Sequence, residues 1–256
     1  MLNWRGWRCP EDHSEGWLGR AALLRRRAKL SEQREMEVPW KACAAVLAMS
    51  AVAAWAVAPY DHEVSAFFGQ RRWPSDVKRL IDLSEVMAHG LTVAIILLLI
   101  YRLAELPRAR FWWLVACPLA GGLGANLIKL MVSRIRPHKY WELQSAADST
   151  LASFVGWLPF WESDYFRESW RQSFPSGHAA TAFAFAVGLS WVFPRGKAIF
   201  FGLATLAGIQ RLVSNSHWPS DVIVGAAVGV TCGYLVKQVA LWQLGQSAAN
   251  AQNGQC

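Results

Sequence analysis

The segment 42–60, ACAAVLAMSAVAAWAVAPY, runs for 19 residues without a charged side chain. A helix of about 20 apolar residues is long enough to cross the hydrocarbon core of a bilayer. The length and composition of this segment therefore predict a membrane-spanning helix near the start of the chain.

Further apolar runs follow this first one, with the bounds 86–101, 111–128, 179–192, 198–210 and 222–236. The last three are shorter than an ideal span, and each taken singly could be a buried core helix. Two of them adjoin polar residues, which is expected if spanning helices form a site at the membrane surface. The pattern predicts an all-α polytopic membrane protein, a bundle of about six transmembrane helices.

The overall composition agrees with a membrane protein but does not by itself exclude a soluble domain with a large core. The 256 residues are 54% hydrophobic and include 15 tryptophans. The net charge of +8 requires no nucleic-acid partner. The five cysteines are odd in number and widely spaced, so they predict neither a disulfide framework nor a metal site.

Lys and Arg are concentrated in three segments that six spans would place on one side of the membrane: 1–38, 102–110 and 194–197. The positive-inside rule makes that side cytoplasmic. The predicted organisation is a basic cytoplasmic leader (1–38), a membrane domain (39–243) and a polar C-terminal tail (244–256). The leader is longer than the n-region of a cleaved signal peptide. Basic residues on the opposite side weaken the asymmetry: Arg71, Arg72, Lys78 and Arg79.

Three polar clusters adjoin the apolar runs, each at a predicted span end on the extracytoplasmic side. Each has an ordinary explanation when taken alone, namely snorkelling cations, a capped helix start and a His–Asp pair that caps a span. Together they supply three permanent cations, two histidines and a carboxylate, which suits holding a phosphate group, attacking it and protonating what leaves. The clusters are Lys129-x6-Arg136-Pro137, Pro175-Ser176-Gly177-His178 and Arg211-x5-His217-x3-Asp221.

The second and third clusters each carry a local structural signal. Ser176 precedes an apolar run as a helix N-cap would, and unpaired N–H groups at a helix start attract phosphate oxygens. Gly177 lets the backbone come close to such a ligand. His217 and Asp221 are four residues apart, and a carboxylate bonded to one ring nitrogen leaves the other free as nucleophile or base. Pro219 suits the first turn of the last helix, which leaves His217 in the preceding loop.

In this order and spacing the clusters resemble the type 2 phosphatidic acid phosphatase superfamily of integral-membrane lipid phosphatases. That group shares its site with bacterial acid phosphatases and vanadium haloperoxidases. One position departs from the family pattern, Gln210, where the family usually has Ser. The resemblance covers residues 86–236. The pattern K-x6-RP, PSGH, SR-x5-H-x3-D is matched at Lys129, Arg136, Pro137, Pro175, Ser176, Gly177, His178, Arg211, His217 and Asp221.

The resemblance implies a role for each matched side chain. His217 would attack phosphorus and carry a phosphohistidine, Asp221 would orient His217, and His178 would protonate the leaving oxygen. No metal and no cofactor is expected, because fixed side chains supply the positive charge. The phosphate oxygens would be held by Lys129, Arg136, Arg211, Ser176 and Gly177.

The favoured function is a membrane lipid phosphatase that hydrolyses a lipid phosphate or pyrophosphate displayed in the bilayer. The expected location is the bacterial inner membrane, with the active site facing the periplasm or exterior. One alternative is a lipid phosphotransferase that uses the same site. Another is a catalytically retired membrane binding protein, against which the intact His178, His217 and Asp221 argue. The spans disfavour a haloperoxidase, for which vanadate would be a cofactor rather than an inhibitor.

The family implies several candidate substrates, and the sequence does not choose among them. They are undecaprenyl pyrophosphate, phosphatidylglycerol phosphate, phosphatidic acid and the phosphate groups of lipid A. The sequence predicts no particular oligomeric state.

The connection 138–174 separates the first two clusters and is rich in tryptophan: Trp141, Trp157, Trp161 and Trp170. Tryptophans at headgroup depth commonly form an aromatic belt. The alternative is that this segment is a lid that grips the lipid part of the substrate, because long connections in compact proteins are often functional.

Overall fold

The computed structural model describes residues 40–146, 152–162 and 164–253, so the predicted cytoplasmic leader lies outside the described residues. In the described part the chain forms nine α-helices and two short strands. The helices are α1 (Trp40–Val57), α2 (Asp61–Gln70), α3 (Ser75–Leu83), α4 (Gly90–Leu103), α5 (Arg108–Lys129), α6 (Pro137–Ala146), α7 (Gly177–Val192), α8 (Lys197–Val213) and α9 (Pro219–Asn253). The strands are β1 (Val132–Arg134) and β2 (Phe154–Trp157).

Five of the six predicted apolar runs lie in helices throughout, and the second, 86–101, is α-helical from Gly90 onward, which confirms the helical membrane bundle. By length and composition, four helical segments of the described chain could cross a membrane: Lys41–Gly69, Arg108–Lys129, Pro194–Val213 and Pro219–Ser247. A fifth is added if the bent pair Ser75–Met87 and Gly90–Leu103 counts as one span. The apolar helix α7 has only 16 residues, too few to cross a full bilayer core. The number six therefore stays a prediction.

Two predicted boundaries differ from the structure. The second run was expected to be helical from residue 86, but Ser84–Met87 forms a 3-10 turn and α4 begins at Gly90, after a bend of 67°. This bend turns the 3-10 segment toward α8, against which it packs. At the other end α9 continues as far as Asn253, so it includes most of the predicted polar tail. The alanine and glutamine content of that tail favours helix continuation.

The apolar helix α7 lies at the centre of the bundle, in contact with α5, α8 and α9. Three glycines at four-residue spacing on α9 face its backbone: a Cβ at Gly225, Gly229 or Gly233 would meet the carbonyl oxygens of Ser176, Ala180 or Ala184 respectively. Lipid offers no hydrophobic drive for helix association, so small residues that permit close backbone packing hold such helices together. This packing sets the start of α7 beside the start of α9.

The two strands were not predicted, and they tie the connection 138–174 to the end of α5. They pair antiparallel, with Val132 opposite Trp157 and Arg134 opposite Phe154. Strands this short, paired across a connection of about 20 residues, leave almost no periodic signal in the sequence. Because β2 is paired to β1, this part of the connection is not a detached lid.

Candidate active site

His217 lies in the short connection between α8 and α9, and its side chain is buried. Its Nδ1 is 2.7 Å from the backbone carbonyl oxygen of Ser173 and 3.7 Å from Asp221 Oδ2. A carbonyl oxygen can only accept, so Nδ1 carries the hydrogen in this contact. The lone pair is then on Nε2, the ring nitrogen that is free to attack.

Burial lowers the pKa of His217 from 6.5 to about 4. The neighbouring cations Lys129 and Arg136 act in the same direction, whereas Asp221 raises the pKa. Since the burial effect is the largest of these, the imidazole is neutral at physiological pH. A neutral imidazole is the form that can act as a nucleophile.

Asp221, at the start of α9, is fully buried and contacts His217 less closely than the sequence suggested. Its Oδ2 accepts hydrogen bonds from Ser173 Oγ at 2.6 Å and from the Trp218 N–H at 3.0 Å. Its Oδ1 accepts one from Arg134 Nη1 at 2.6 Å. The structure thus places Ser173, whose carbonyl contacts the imidazole, between Asp221 and His217.

The three predicted cations lie on different elements and line one cavity. Lys129 ends α5, and its Nζ donates to the Gln172 carbonyl at 2.9 Å. Arg136 follows β1, and its Nε is buried with no hydrogen-bond partner among the described residues. Burial, together with the nearby Arg211, lowers the pKa of the Arg136 guanidinium. An anion in the cavity would supply that partner.

Arg211 lies in the last turn of α8 and already has an acidic partner. Its Nη2 donates to Glu85 Oε1 at 2.9 Å, and its Nε donates to Gln210 Oε1. Gln210, the one departure from the family pattern, thus holds the guanidinium through its side-chain oxygen. The same Glu85 oxygen lies 3.4 Å from His178 Nε2.

The start of α7 brings Gly177 and His178 to the cavity wall. A Cβ at Gly177 would meet nothing within 4 Å, so the wall is open at this point. Ser176 is fully buried, and its hydroxyl caps α7 by accepting from the Ala179 N–H at 3.4 Å. Ser176 is absent from the described residues that line the cavity, so its phosphate-binding role stays a prediction.

The cavity has a volume of about 670 Å³ and joins a polar end to an apolar one. The apolar end lies between α4 and α5, and a second groove of about 650 Å³ shares part of its lining and continues toward Tyr101 and Arg108. The polar end is lined by Lys129, Arg136, Gly177, His178, Arg211 and His217, and the apolar end includes Val93, Ala94, Leu97, Val115, Leu119 and Leu123.

Four polar residues at or behind the site escaped the sequence analysis: Asp61, Glu85, Arg134 and Ser173. Asp61 directly follows the first apolar run, and Glu85 directly precedes the second. A charged residue at the end of an apolar run was the available signal. Arg134 stands within the first cluster, two residues before Arg136, where snorkelling was the competing explanation.

Comparison with known proteins is consistent with this geometry. The chain is 37% identical over 108 residues to a lipid A 1-phosphatase of Rhizobium johnstonii, a match that covers 42% of this chain and 38% of that protein. It is 34% identical over 141 residues to a decaprenylphosphoryl-5-phosphoribose phosphatase of Mycobacterium tuberculosis, covering 52% and 64% of the two chains. The chain thus matches about two fifths of the length of the first relative and under two thirds of the second.

The fold has a solved counterpart in the crystal structure of Aquifex aeolicus LpxE. The TM-score is 0.50 at 22% sequence identity, and the match covers 70% of this chain and 95% of that one. The model of the PAP2 superfamily matches residues 110–244, which contain all three clusters and more than half of the chain. Motif spacing, fold and family match agree, and the chain is an integral membrane protein that belongs to the PAP2 superfamily.

Proposed function

We propose that this protein is a metal-independent membrane phosphatase that releases phosphate from a lipid phosphate or pyrophosphate. The observation that carries the proposal is the single cavity whose polar end holds three cations and two histidines and whose other end is apolar. A lipid phosphate has the same division, with a charged headgroup and an apolar chain. The relatives named as lipid phosphatases support this assignment.

In the first step the lone pair on His217 Nε2 attacks phosphorus, and the bond from phosphorus to the lipid oxygen breaks. Burial and the neighbouring Arg211 lower the pKa of His178 to about 3, whereas the negative charge of a bound phosphate raises it and favours the imidazolium. The leaving oxygen takes a proton from this imidazolium, which leaves the ring neutral. In the second step neutral His178 accepts a proton from water, and the water oxygen displaces His217 from phosphorus. Inorganic phosphate is released, and both histidines return to their starting forms.

The positive charge around the cavity would stabilise both steps. Charge in phosphoryl transfer is spread over the nonbridging oxygens, and preorganised cations in a site shielded from water lower its energy. Lys129, Arg136 and Arg211 approach from three separate elements, so together they can surround a phosphate. The Gly177 amide at the start of α7 adds a backbone donor.

The substrate class follows from the apolar end of the cavity and from the relatives. The groove between α4 and α5 would hold a hydrocarbon chain of a lipid whose headgroup lies at the extracytoplasmic surface. The two relatives are named as phosphatases of lipid A and of a decaprenyl lipid. An anionic lipid of the bacterial envelope is therefore the favoured substrate. The favoured location is the inner membrane, with the site facing the periplasm or exterior.

The test is release of inorganic phosphate by the protein purified in detergent, with no added acceptor and in the presence of EDTA. The panel holds a lipid A 1-phosphate, a polyprenyl phosphate and pyrophosphate, phosphatidic acid and phosphatidylglycerol phosphate. We expect release from at least one of these lipids and none from the His217→Ala variant. No release by the folded wild-type protein from any of them would overturn the proposal, and restoration only by a divalent metal would overturn metal independence.

A further inference from the structure

A buried cluster of charges lies behind His217, outside the cavity. The Arg134 guanidinium lies between two carboxylates: Nη1 is 2.6 Å from Asp221 Oδ1, and Nη2 is 2.7 Å from Asp61 Oδ2. The side chains of Arg134 and Asp61 are each 2% exposed, and that of Asp221 is 0% exposed. Neither Asp61 nor Arg134 is a fixed position of the three motifs.

Asp61 is bonded to the start of α9 as well as to Arg134. Its Oδ1 accepts from the Ser220 backbone N–H at 3.0 Å, and its Oδ2 accepts from Ser220 Oγ. Ser220 Oγ also accepts from Arg134 Nη1 at 2.8 Å. The cluster therefore joins α2, β1 and the first turn of α9, the turn that carries Asp221.

Stability alone is a weak explanation for such a cluster. The desolvation of buried charges offsets most of their mutual attraction, and apolar residues of the same shape are often at least as stabilising. A buried guanidinium does fix the direction of each carboxylate, because its donors lie in a rigid plane. The direction of Asp221 matters here, since its second oxygen accepts from Ser173 Oγ and from the N–H of Trp218. The Ser173 carbonyl contacts the His217 imidazole, and Trp218 follows His217 in the chain.

We propose that Asp61 and Arg134 are positioning residues for the nucleophile. They orient Asp221, and Asp221 orients Ser173. The Ser173 carbonyl in turn holds the His217 imidazole with its hydrogen on Nδ1. Each link is a contact in the structure, from Arg134 Nη1 to Asp221 at 2.6 Å, from Ser173 Oγ to Asp221 at 2.6 Å, and from His217 Nδ1 to the Ser173 carbonyl at 2.7 Å. The inference rests on the proposed role of His217 as nucleophile.

The cluster also contributes to the electrostatic field at His217. The other charged or titratable groups that act on the imidazole are Asp221, Lys129 and Arg136, with His178 across the cavity. Arg134→Gln would leave two carboxylates without their cation, which favours imidazolium and raises the pKa of His217. Asp61→Asn would leave Arg134 with one carboxylate fewer, which lowers the pKa of His217. The two substitutions therefore have opposite electrostatic effects, although both loosen the same contacts.

The experiment measures turnover and the state of His217 in Arg134→Gln, Arg134→Lys and Asp61→Asn. We expect kcat to fall about tenfold to a hundredfold in Arg134→Gln and Asp61→Asn with little change in KM, because geometry at the nucleophile is altered while the cavity is not. Arg134→Lys retains the charge and should recover part of the loss. Histidine-labelled nitrogen NMR, with the His217→Ala variant for assignment, reports the tautomer and pKa of His217 without any turnover.

The wild-type protein should show His217 protonated on Nδ1, and both charge-neutralising variants should show a mixture of tautomers at neutral pH. The pKa should rise in Arg134→Gln and fall in Asp61→Asn. The matched control is Arg79→Gln, which removes an exposed ion pair to Asp76 on α3 and should leave the His217 signal unchanged.

An unchanged tautomer and an unchanged pKa in the folded Arg134→Gln and Asp61→Asn variants would overturn the inference, even if kcat fell. If the Arg134→Gln variant does not fold, the comparison of Arg134→Lys and Asp61→Asn with the wild-type protein decides the inference. Because the NMR readout needs no substrate, failure of the proposed phosphatase activity would be recognised separately, as absence of phosphate release by the wild-type protein.

Discussion

Neutralising Glu85 should tighten the binding of phosphate-like anions. Glu85 Oε1 accepts a hydrogen bond from Arg211 Nη2 at 2.9 Å, and a phosphate oxygen would bind the same guanidinium. Two anions that share one guanidinium lie roughly 5 Å apart, where unit charges repel by about 0.8 kcal/mol in water and about 3 kcal/mol at an effective dielectric constant of 20. The Glu85 side chain is 33% exposed, so an intermediate value applies. We expect the free energy of binding such anions to be more favourable in Glu85→Gln by about 1–2 kcal/mol, which corresponds to binding that is roughly five- to thirtyfold tighter.

Turnover should change in the opposite direction. Glu85 Oε1 lies 3.4 Å from Nε2 of His178, the ring that is proposed to protonate the leaving oxygen. Without this carboxylate the imidazolium loses an electrostatic partner, and a smaller fraction of the enzyme holds the proton that the first step needs. We expect kcat to fall about tenfold while the substrate KM falls or stays constant.

The assay is the inhibition constant of orthovanadate, a phosphate mimic, measured beside kcat at fixed pH and ionic strength. Glu105→Gln is the matched control, since it makes the same chemical change at an exposed residue of the linker between α4 and α5 that lines neither the cavity nor the second groove. Unchanged or weaker vanadate inhibition in Glu85→Gln would refute the competition between Glu85 and phosphate for Arg211. Equal effects of the two substitutions would show that only the net charge of the protein matters.

Three further outcomes are expected. The pKa of His217, measured by histidine-labelled nitrogen NMR with the His217→Ala variant for assignment, should lie near 4, because burial favours the neutral imidazole; a value near 6.5 would contradict this. Gly229→Leu should lower the thermal unfolding midpoint in detergent by roughly 5 °C or more, because a Cβ at this position would meet the backbone of α7. Gly202→Leu is the control and should leave the midpoint unchanged, because a Cβ at Gly202 would meet nothing within 4 Å. Trp157 and Trp161 are each 80% exposed, and replacing both by Ser should raise KM for a lipid in vesicles but not for a soluble phosphate ester. Equal effects on the two substrates would exclude a role of these tryptophans in holding the lipid.

The sequence was sufficient for the helical bundle and for most of the residues that line the polar end of the cavity. Apolar runs are a local property, and helices cover the six predicted runs except at the bend before Gly90. The spacing within each cluster is local as well, and it is sufficient to assign five residues to one site that all line the cavity: Lys129, Arg136, His178, Arg211 and His217.

The sequence was less informative where an element depends on a distant partner. The bend before Gly90 and the pairing of β1 with β2 are set by packing between segments far apart in the chain, so no periodic pattern marks them. The continuation of α9 to Asn253 was missed for a different reason: a polar stretch of helix-forming residues carries no apolar periodicity.

By itself, then, the sequence determined that this chain crosses a membrane as helices and carries three clusters with the spacing of the PAP2 pattern at their ends, because hydrophobic length and motif spacing are properties of consecutive residues. Only the tertiary structure decided how His217, the proposed nucleophile, is held. The Ser173 carbonyl, not the Asp221 carboxylate, is the nearest acceptor to His217 Nδ1, and Asp221 is in turn bonded to Arg134, which also binds Asp61. These contacts join residues up to 160 positions apart, and a hydrogen bond depends on direction and distance that sequence spacing does not specify.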